Sequence, residues 1–293
     1  MADTVSMFGQ ALILAVAFAP CAATCAAKAL NTAGASKNVE TIAANTRPAV
    51  QAVPRSDRNS QIAHEQLVQK AKAGRIDVYF EGDSITRRWG TSDPQYAEFL
   101  GNWKENFYGW NAADFGWGGD TAQNILWRIE NGELDGVNPK VIVLMGGTNN
   151  IGNAPPAEGA EAKVEEVTAA IKTILEVMRN KAPGATIILM GITPRNDGRG
   201  GTGTVATIDK INFRISKFAD GKEIRYLNIN DKLAKSDGTL LEGMTVDGLH
   251  LSAKGYQIWA DALKPILSEI LGPPAKTDEA PPATGDPSAK PRQ

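Results

Sequence analysis

The chain has 293 residues, and its 31 lysines and arginines nearly balance 33 aspartates and glutamates, for a formal charge of −2. This balance provides no basic surface for a phosphate backbone and argues against nucleic acid as a partner. A hydrophobic fraction of 42% and a charged fraction of 22% are typical of a globular protein. The two cysteines, Cys21 and Cys25, lie near the amino terminus, and the two histidines are His64 and His250. The body of the chain therefore has no thiolate site or multi-histidine cage for a metal.

The first residues have the pattern of an export signal. An apolar run at 11–20 is followed by small residues as far as Ala27, and the run is too short to span a membrane. Asp3 and the lack of lysine or arginine before the run are unusual for such a signal. We expect residues 1–27 to be a signal peptide and the protein to be secreted or periplasmic. A lipid anchor on either cysteine is less favoured, because the leucine-containing lipoprotein signature is missing.

Composition divides the rest of the chain into three parts. Residues 28–59 are rich in Ala, Asn, Thr and Ser without sustained periodicity, and residues 273–293 contain six prolines. Both segments are predicted to be solvated, one as a linker and the other as a disordered tail. Residues 60–272 remain, a length that suits one well-buried domain.

Within this domain, short apolar runs alternate with helical patterns. The predicted strands are Ile76–Phe80, Ala112–Gly116, Lys140–Met145, Ala185–Met190 and Ile224–Asn228, and the predicted helices are Ser60–Ala73, Thr121–Asn131, Ala160–Lys181, Val205–Phe218 and Ser252–Leu271. Strands separated by helices predict a five-stranded parallel sheet covered on both faces, which is a three-layer α/β/α sandwich. In such sheets the ligand site lies beyond the carboxyl ends of the strands.

Small and polar residues follow the first three predicted strands. Ser84 lies in a tight Gly-Asp-Ser turn that would place it at the start of a helix, as a nucleophile or as an ordinary helix cap. After the second strand, a glycine-rich turn containing Gly119 could expose a backbone N–H, and after the third, Asn149 offers a side-chain amide. Each of these turns, taken alone, is also compatible with a purely structural role.

Near the carboxyl end, Asp247 precedes His250 by three residues. At this spacing a carboxylate can accept a hydrogen bond from the imidazole, set its tautomer and stabilise its charged form. Together with Ser84, Gly119 and Asn149, the pair supplies a nucleophile, a base, an orienting acid and oxyanion donors at one sheet edge.

The order of Gly82-Asp83-Ser84, Gly119, Gly147-Thr148-Asn149 and Asp247-xx-His250 resembles the SGNH, or GDSL, hydrolases. The stretch FGWGGDTAQNILWRIENGEL at 115–134 is similar to the branch that contains the catalytic α subunits of platelet-activating factor acetylhydrolase and related bacterial esterases. The sequence departs from the family pattern at Ile85, where leucine is expected, and at Trp117, where a smaller aliphatic residue is expected.

The resemblance implies a flavodoxin-like fold and assigns roles to the matched residues. Ser84 would be the nucleophile, His250 the base and Asp247 its orienter. The oxyanion hole would consist of the Ser84 and Gly119 backbone N–H groups and the Asn149 amide. Relatives in the family can form dimers, so a homodimer is compatible with the resemblance, although no interface residue is identified.

Three other motifs are rejected. Residues 198–203 match the dinucleotide fingerprint GxGxxG but do not directly follow a strand, so a flexible loop is predicted instead. His64-Glu65 begins like a zinc-protease helix, but Val68 stands where the second histidine would be, and His64 is predicted to lie on a helix surface. No serine lies in a GxSxG elbow, which argues against an α/β-hydrolase.

Three further side chains are candidates for substrate binding. Trp117 and Trp89 are expected to be packing residues, since large aromatic side chains usually supply buried area, and the alternative is that they stack on a sugar or aryl group. Arg195, just after the fourth predicted strand, is expected to be a solvated loop residue, and the alternative is that it contacts a polar or anionic leaving group.

These observations predict a secreted serine esterase that needs no metal or cofactor and removes short acyl groups, most simply acetyl, from a small-molecule or carbohydrate ester. An aryl ester is the second candidate for the substrate. A lysophospholipase or thioesterase with the same triad is an alternative, and so is a non-catalytic binding module on the same fold.

Overall fold

The computed structural model describes residues 50–152, 160–198 and 203–289. The predicted signal peptide lies outside the described residues, as do the first part of the predicted linker and most of the glycine-rich loop at 198–203. Among the described residues, none of the helices combines the length and the apolar character that a membrane crossing needs.

Five parallel strands form the central sheet, in the order β2-β1-β3-β4-β5. Their bounds are β1 Val78–Gly82, β2 Ala112–Asp114, β3 Val141–Met145, β4 Thr186–Met190 and β5 Ile224–Leu227. Each begins and ends within two residues of the prediction, and the predicted five-stranded α/β architecture is confirmed. The strand order reverses between β1, whose Val78 pairs with Ala112 of β2, and β3 on its other side. This reversal opens a crevice at the carboxyl ends of β1 and β3, where open sheets bind ligands.

The described helices cover both faces of the sheet. They are α1 Arg58–Ala71, α2 Ser84–Gly90, α3 Ala97–Phe107, α4 Ala122–Arg128, α5 Thr148–Ile151, α6 Ala160–Lys181, α7 Thr204–Ile215, α8 Asn230–Leu233 and α9 Ala253–Leu271. Helix α4 continues into a wider turn at Ile129–Glu133, and short 3₁₀ turns lie at Pro94–Tyr96 and Ser216–Phe218. Helix α3 was not predicted, although Phe99, Trp103 and Phe107 recur at four-residue spacing, a signal that could have identified it.

Side chains that alternate along the strands pack into two cores, one on each face of the sheet. Tyr79 and Ile142 point toward a layer that contains α1, α4, α6 and α7. Phe80 and Val143 point toward the opposite layer, which contains α2, α3 and α9. Because both faces are covered, the strands read as continuous apolar runs, and this is why the sequence located them so closely.

The amino-terminal boundary of the domain lies earlier than predicted. The backbone N–H of Val53 donates to the Gln123 carbonyl at 3.1 Å, and the Val53 carbonyl accepts from the Asn124 amide at 2.8 Å. Asp57 caps α1 by accepting from the Ser60 N–H at 2.9 Å. The prediction of a solvated linker as far as residue 59 is therefore wrong for 53–59, because these residues hydrogen-bond to the domain.

The carboxy-terminal segment, residues 273–289, packs against the domain instead of forming the predicted disordered tail. The Asp278 carboxylate accepts from the Gly109 N–H at 2.6 Å, and the Thr284 carbonyl accepts from the Ser92 N–H at 3.1 Å. A proline-rich composition indicates that a segment forms no helix or strand of its own. It does not exclude an extended segment whose hydrogen-bond partners lie elsewhere in the chain, and that is the arrangement here.

We expect a chain ending at Gly272 to be less stable than the full chain by about 2–4 kcal/mol. The truncation removes the bonds of Asp278 and Thr284 and several others, and each net hydrogen bond contributes roughly 0.5–1.5 kcal/mol. Urea unfolding followed by tryptophan fluorescence measures the change. A chain ending at Ala289 is the matched control, and equal unfolding midpoints for all three chains would contradict the prediction.

Candidate active site

Ser84 lies at the turn between β1 and α2, where it is the first residue of the helix. The buried side chain of Asp83 caps α2 by accepting from the Ile85 N–H at 2.9 Å. Gly82 is required at the strand end because a Cβ there would lie 2.2 Å from Thr86 Oγ1 and 2.4 Å from the Met145 carbonyl. In this turn the Ser84 side chain is partly exposed, whereas its neighbours Asp83 and Ile85 are buried.

The structure brings His250 and Asp247 to Ser84 in one chain of hydrogen bonds. His250 Nε2 lies 2.9 Å from Ser84 Oγ, and His250 Nδ1 lies 2.7 Å from Asp247 Oδ2. The second oxygen of Asp247 accepts from the backbone N–H groups of Leu249 at 3.1 Å and His250 at 2.8 Å. With the neutral imidazole protonated at Nδ1, Nε2 is free to accept the Ser84 proton.

The charges around His250 favour a neutral imidazole beside an ionised carboxylate. Burial opposes the charged form of Asp247, but hydrogen bonds from the backbone and side chain of His250 lower its pKa to about 2. Burial and the positive charge of Arg88 lower the pKa of His250 below its ordinary value, although Asp247 acts in the opposite direction. Arg195 adds a smaller effect of the same sign as Arg88. The imidazole is therefore held in the form that can accept a proton.

The predicted oxyanion donors lie on the turns after β2 and β3. Gly119 has a φ of +80°, a conformation that favours glycine, and its backbone is exposed. A Cβ on the preceding Gly118 would lie 3.9 Å from Ser84 Cβ, so this turn passes beside the serine. The Asn149 amide donates to the Asp120 carbonyl at 2.8 Å. The Asn149 side chain is thus hydrogen-bonded to the turn that passes beside Ser84.

A buried network of charged side chains lies beneath the Gly119 turn. Asp120 is fully buried and pairs with Arg128 through one oxygen and with Arg55 through the other, the latter at 3.1 Å. Arg128 also donates to Glu133 at 3.2 Å. Burial raises the pKa of Asp120 to about 6, and the two guanidinium groups keep it from rising further. These residues could not be identified from the sequence, because nothing in their local spacing indicates that they meet.

His64 belongs to the same network and is not on the helix surface as predicted. Its Nδ1 lies 2.7 Å from Glu133 Oε1, and its ring centroid lies 4.6 Å from that of Trp127. Among the described residues, no group of three or more histidine, cysteine, aspartate or glutamate side chains is arranged to hold a metal ion.

The two tryptophans considered as stacking surfaces are both buried, which agrees with the packing role and contradicts the stacking alternative. Trp89 has 0% exposure and stacks on Tyr256 at a centroid distance of 4.9 Å within the core. Trp117 has 7% exposure, and its indole N–H donates to Ser60 Oγ at 2.7 Å. The Arg87 guanidinium carbon lies 4.5 Å from the centroid of the Trp117 ring. Neither ring offers a free face to a sugar or aryl group.

Arg195 is buried as well, with 6% exposure, which contradicts both the solvated loop position and the open pocket alternative. Its guanidinium donates twice to Asp197, at 3.0 and 2.7 Å, and once to the Thr148 carbonyl at 3.0 Å. Arg195 therefore links the loop after β4 to the turn that carries Asn149, and its donors are directed to protein acceptors.

Comparison with known proteins identifies the family. Residues 80–258 match the model of the GDSL-like lipase/acylhydrolase family, which covers more than half of the chain. The chain belongs to the GDSL-like lipase/acylhydrolase family. Family membership makes hydrolysis of an acyl ester the expected class of reaction and confirms the resemblance predicted from the motifs.

Curated relatives and a solved structure agree with this GDSL-like assignment. The chain is 30% identical over 213 residues to platelet-activating factor acetylhydrolase IB subunit alpha1 from Bos taurus, covering 71% of this chain and 82% of that protein. It is 32% identical over 212 residues to subunit alpha2 from Rattus norvegicus, covering 71% and 83%. A GDSL-like lipase structure from Bacteroides thetaiotaomicron VPI-5482 has the same fold, with a TM-score of 0.54, 20% identity and coverage of 73% and 98%.

Proposed function

We propose that the protein is a serine ester hydrolase that removes short acyl groups through Ser84, His250 and Asp247. The observation that carries the proposal is the hydrogen-bond chain from Ser84 Oγ to His250 Nε2, and from His250 Nδ1 to Asp247. A side-chain hydroxyl, a neutral imidazole and a carboxylate in this order make up the arrangement by which serine hydrolases activate a hydroxyl. A non-catalytic binding module would have no need for an oriented base beside a partly exposed hydroxyl.

In the proposed reaction, Ser84 Oγ attacks the ester carbonyl carbon while its proton moves to His250 Nε2. The carbonyl oxygen becomes an oxyanion that accepts hydrogen bonds from the Ser84 and Gly119 N–H groups and the Asn149 amide. Collapse of this intermediate breaks the bond to the alcohol, which leaves with the proton from His250. Water then attacks the acyl-enzyme, His250 takes its proton, and the second collapse releases the carboxylic acid and restores Ser84.

Acetyl is the acyl group we propose first, and a carbohydrate or aryl ester is the proposed substrate class. The acyl length is supported by the curated relatives, which are named as acetylhydrolases. The choice of a carbohydrate as the alcohol part of the ester rests on the proposal that the amino-terminal apolar run exports the protein, because an exported esterase encounters polymers. A lysophospholipase or thioesterase activity would use the same triad on a longer or sulfur-linked acyl group.

Acyl-chain profiling tests the proposal. The full protein is assayed with p-nitrophenyl acetate, butyrate and octanoate, and acetate release from acetylated xylan is measured alongside. The highest kcat/KM on the acetate ester would support the short-chain esterase, and a preference for the octanoate ester would favour the lysophospholipase hypothesis. Labelling by a fluorophosphonate, located to Ser84 by mass spectrometry, distinguishes an enzyme from a binding module. No turnover on any ester together with no labelling would contradict the proposal.

Arg88 is expected to set the acid limb of the pH profile. Its Nη1 lies 3.3 Å from Asp247 Oδ2, and its positive charge lowers the pKa of His250. Removing that charge in Arg88→Gln makes protonation of His250 easier, so the acid limb of kcat/KM should move to higher pH. At a pH on the acid side of the profile, kcat/KM of Arg88→Gln for p-nitrophenyl acetate should be about threefold lower than that of the wild type. This is the size of effect expected from the loss of one partly exposed charge.

The matched control for this prediction is Arg58→Gln, which removes an exposed arginine from α1. Its pH profile should superpose on that of the wild type. An acid limb that stays in place, or moves to lower pH, in Arg88→Gln would show that Arg88 does not act on His250 through its charge.

A further inference from the structure

A segment outside the family match contacts the Gly119 turn. The family match begins at residue 80, whereas Arg55 lies in the segment 53–57 that precedes α1. This segment is hydrogen-bonded to α4, because the Val53 N–H donates to the Gln123 carbonyl. The Asn124 amide, which donates to the Val53 carbonyl at 2.8 Å, also belongs to the capping box that Thr121 forms at the start of α4. The segment is therefore tied to the same helix start that the Gly119 turn leads into.

The Arg55 guanidinium bridges the two residues on either side of Gly119. Its Nη1 donates to the Gly118 carbonyl at 3.0 Å and to Asp120 Oδ1 at 3.1 Å. A Cβ on Gly119 would lie 3.0 Å from the same nitrogen. Arg55 thus occupies the space that a side chain at position 119 would fill and fixes the backbone before and after Gly119.

The contacts of Asp120 extend this bridge to the second predicted oxyanion donor. Asp120 holds Arg128 with its other carboxylate oxygen, and its backbone carbonyl accepts from the Asn149 amide at 2.8 Å. Arg55 also donates through Nε to Asp57 at 3.1 Å, so its charged partners are carboxylates of the protein itself. The contribution of Arg55 is therefore geometric, because the donors described for its guanidinium are directed at acceptors within the protein.

We propose that Arg55 is a positioning residue for the oxyanion hole. Arg55 holds the Gly118–Asp120 turn so that the Gly119 N–H and the Asn149 amide both point at the developing oxyanion. This inference rests on the proposed function. Donors that stabilise an oxyanion act only when they are fixed beforehand, and a displacement of about 1 Å can cost on the order of 100-fold in rate. The loss should fall on kcat, since the donors engage the transition state more strongly than the substrate.

The test compares Arg55→Ala and Arg55→Lys with the wild-type full chain. For p-nitrophenyl acetate, we expect Arg55→Ala to lower kcat by about 10- to 100-fold with KM changed by less than about twofold. Arg55→Lys, which keeps a positive charge and a single donor nitrogen, should lose less. Affinity for phenylboronic acid, which forms a tetrahedral anion on a reactive serine, should fall in parallel with kcat/KM. Guanidinium ion at millimolar concentration should restore part of the Arg55→Ala activity.

Arg58→Ala is the matched control, because this arginine is three residues further along, exposed, and only weakly paired with Glu65. Its kcat should equal that of the wild type. The proposal is overturned if Arg55→Ala retains wild-type kcat and boronate affinity, or if KM rises while kcat is unchanged, since the latter indicates substrate binding. If thermal unfolding shows that Arg55→Ala is misfolded, a folded Arg55→Lys with unchanged kcat and boronate affinity likewise overturns it. Failure of the proposed function can be distinguished from failure of the Arg55 proposal, because in the former case the wild-type protein itself would be inactive on the esters and unlabelled by the fluorophosphonate.

Discussion

The Ser84→Ala variant should hydrolyse p-nitrophenyl acetate at least about 10⁴-fold more slowly than the wild type in kcat. The substitution removes the oxygen that lies 2.9 Å from His250 Nε2, and no acyl-enzyme can form without it. Any remaining rate would come from water activated by His250 and from the oxyanion donors, which by themselves retain a small part of the catalysis. Initial rates, together with the burst of p-nitrophenol that an acyl-enzyme produces, measure the effect.

The Ser84 side chain contributes little to folding, since it is partly exposed and its described side-chain hydrogen bond is to His250. Ser84→Ala should therefore unfold at a temperature close to that of the wild type. Ser268→Ala, at an exposed position on α9, is the matched control and should keep full activity. Retention of more than about one tenth of the wild-type kcat in Ser84→Ala would rule out Ser84 as the nucleophile.

The Asn149→Asp variant should lower kcat by about 10²- to 10³-fold, with a much smaller change in KM. The substitution preserves the size of the side chain but replaces the amide donor by a carboxylate that repels an oxyanion. Loss of one such donor typically costs on the order of 3 kcal/mol of transition-state stabilisation. The carboxylate also cannot donate to the Asp120 carbonyl, a bond of 2.8 Å in the structure. Steady-state kinetics with p-nitrophenyl acetate separate the two constants.

Asn180→Asp makes the same chemical change at an exposed position near the end of α6 and should leave kcat unaltered. Asn149→Ala separates loss of the donor from added negative charge, and its kcat should lie between those of Asn149→Asp and the wild type. Equal kcat in Asn149→Asp and the wild type would remove Asn149 from the proposed oxyanion hole and leave the backbone N–H groups as its donors.

Much of the fold and the center of the candidate site could be predicted from local sequence. Strands buried on both faces are continuous apolar runs, so all five strands were located to within two residues. Parallel strands end at a common edge, so the residues that follow them, Ser84, Gly119 and Asn149, were expected to lie together. The spacing of Asp247 and His250 is a local property of one turn, and the structure places them at the predicted hydrogen-bond distance.

Other features depended on contacts between distant parts of the chain. Trp89 and Trp117 lie near the site in sequence, but packing from α1 and α9 buries them, so their exposure could not be predicted from their position. Charged side chains were expected in solvent, whereas Arg195 is buried because Asp197 and the Thr148 carbonyl satisfy its guanidinium.

Composition alone indicated that residues 28–59 and 273–293 were solvated, because neither segment has the periodicity of a helix or a strand. The described parts of these segments, residues 53–59 and 273–289, hydrogen-bond to partners elsewhere, since the Thr284 carbonyl accepts from Ser92, and Arg55 donates to Asp120, 65 residues away. Local pattern was enough to predict the strands, the sheet edge they share and the candidate reactive side chains at that edge, because each depends on residues close together in the chain. The pairing of the buried charged groups and the packing of residues 53–59 and 273–289 against the domain became visible in the folded chain alone, because both depend on long-range contacts.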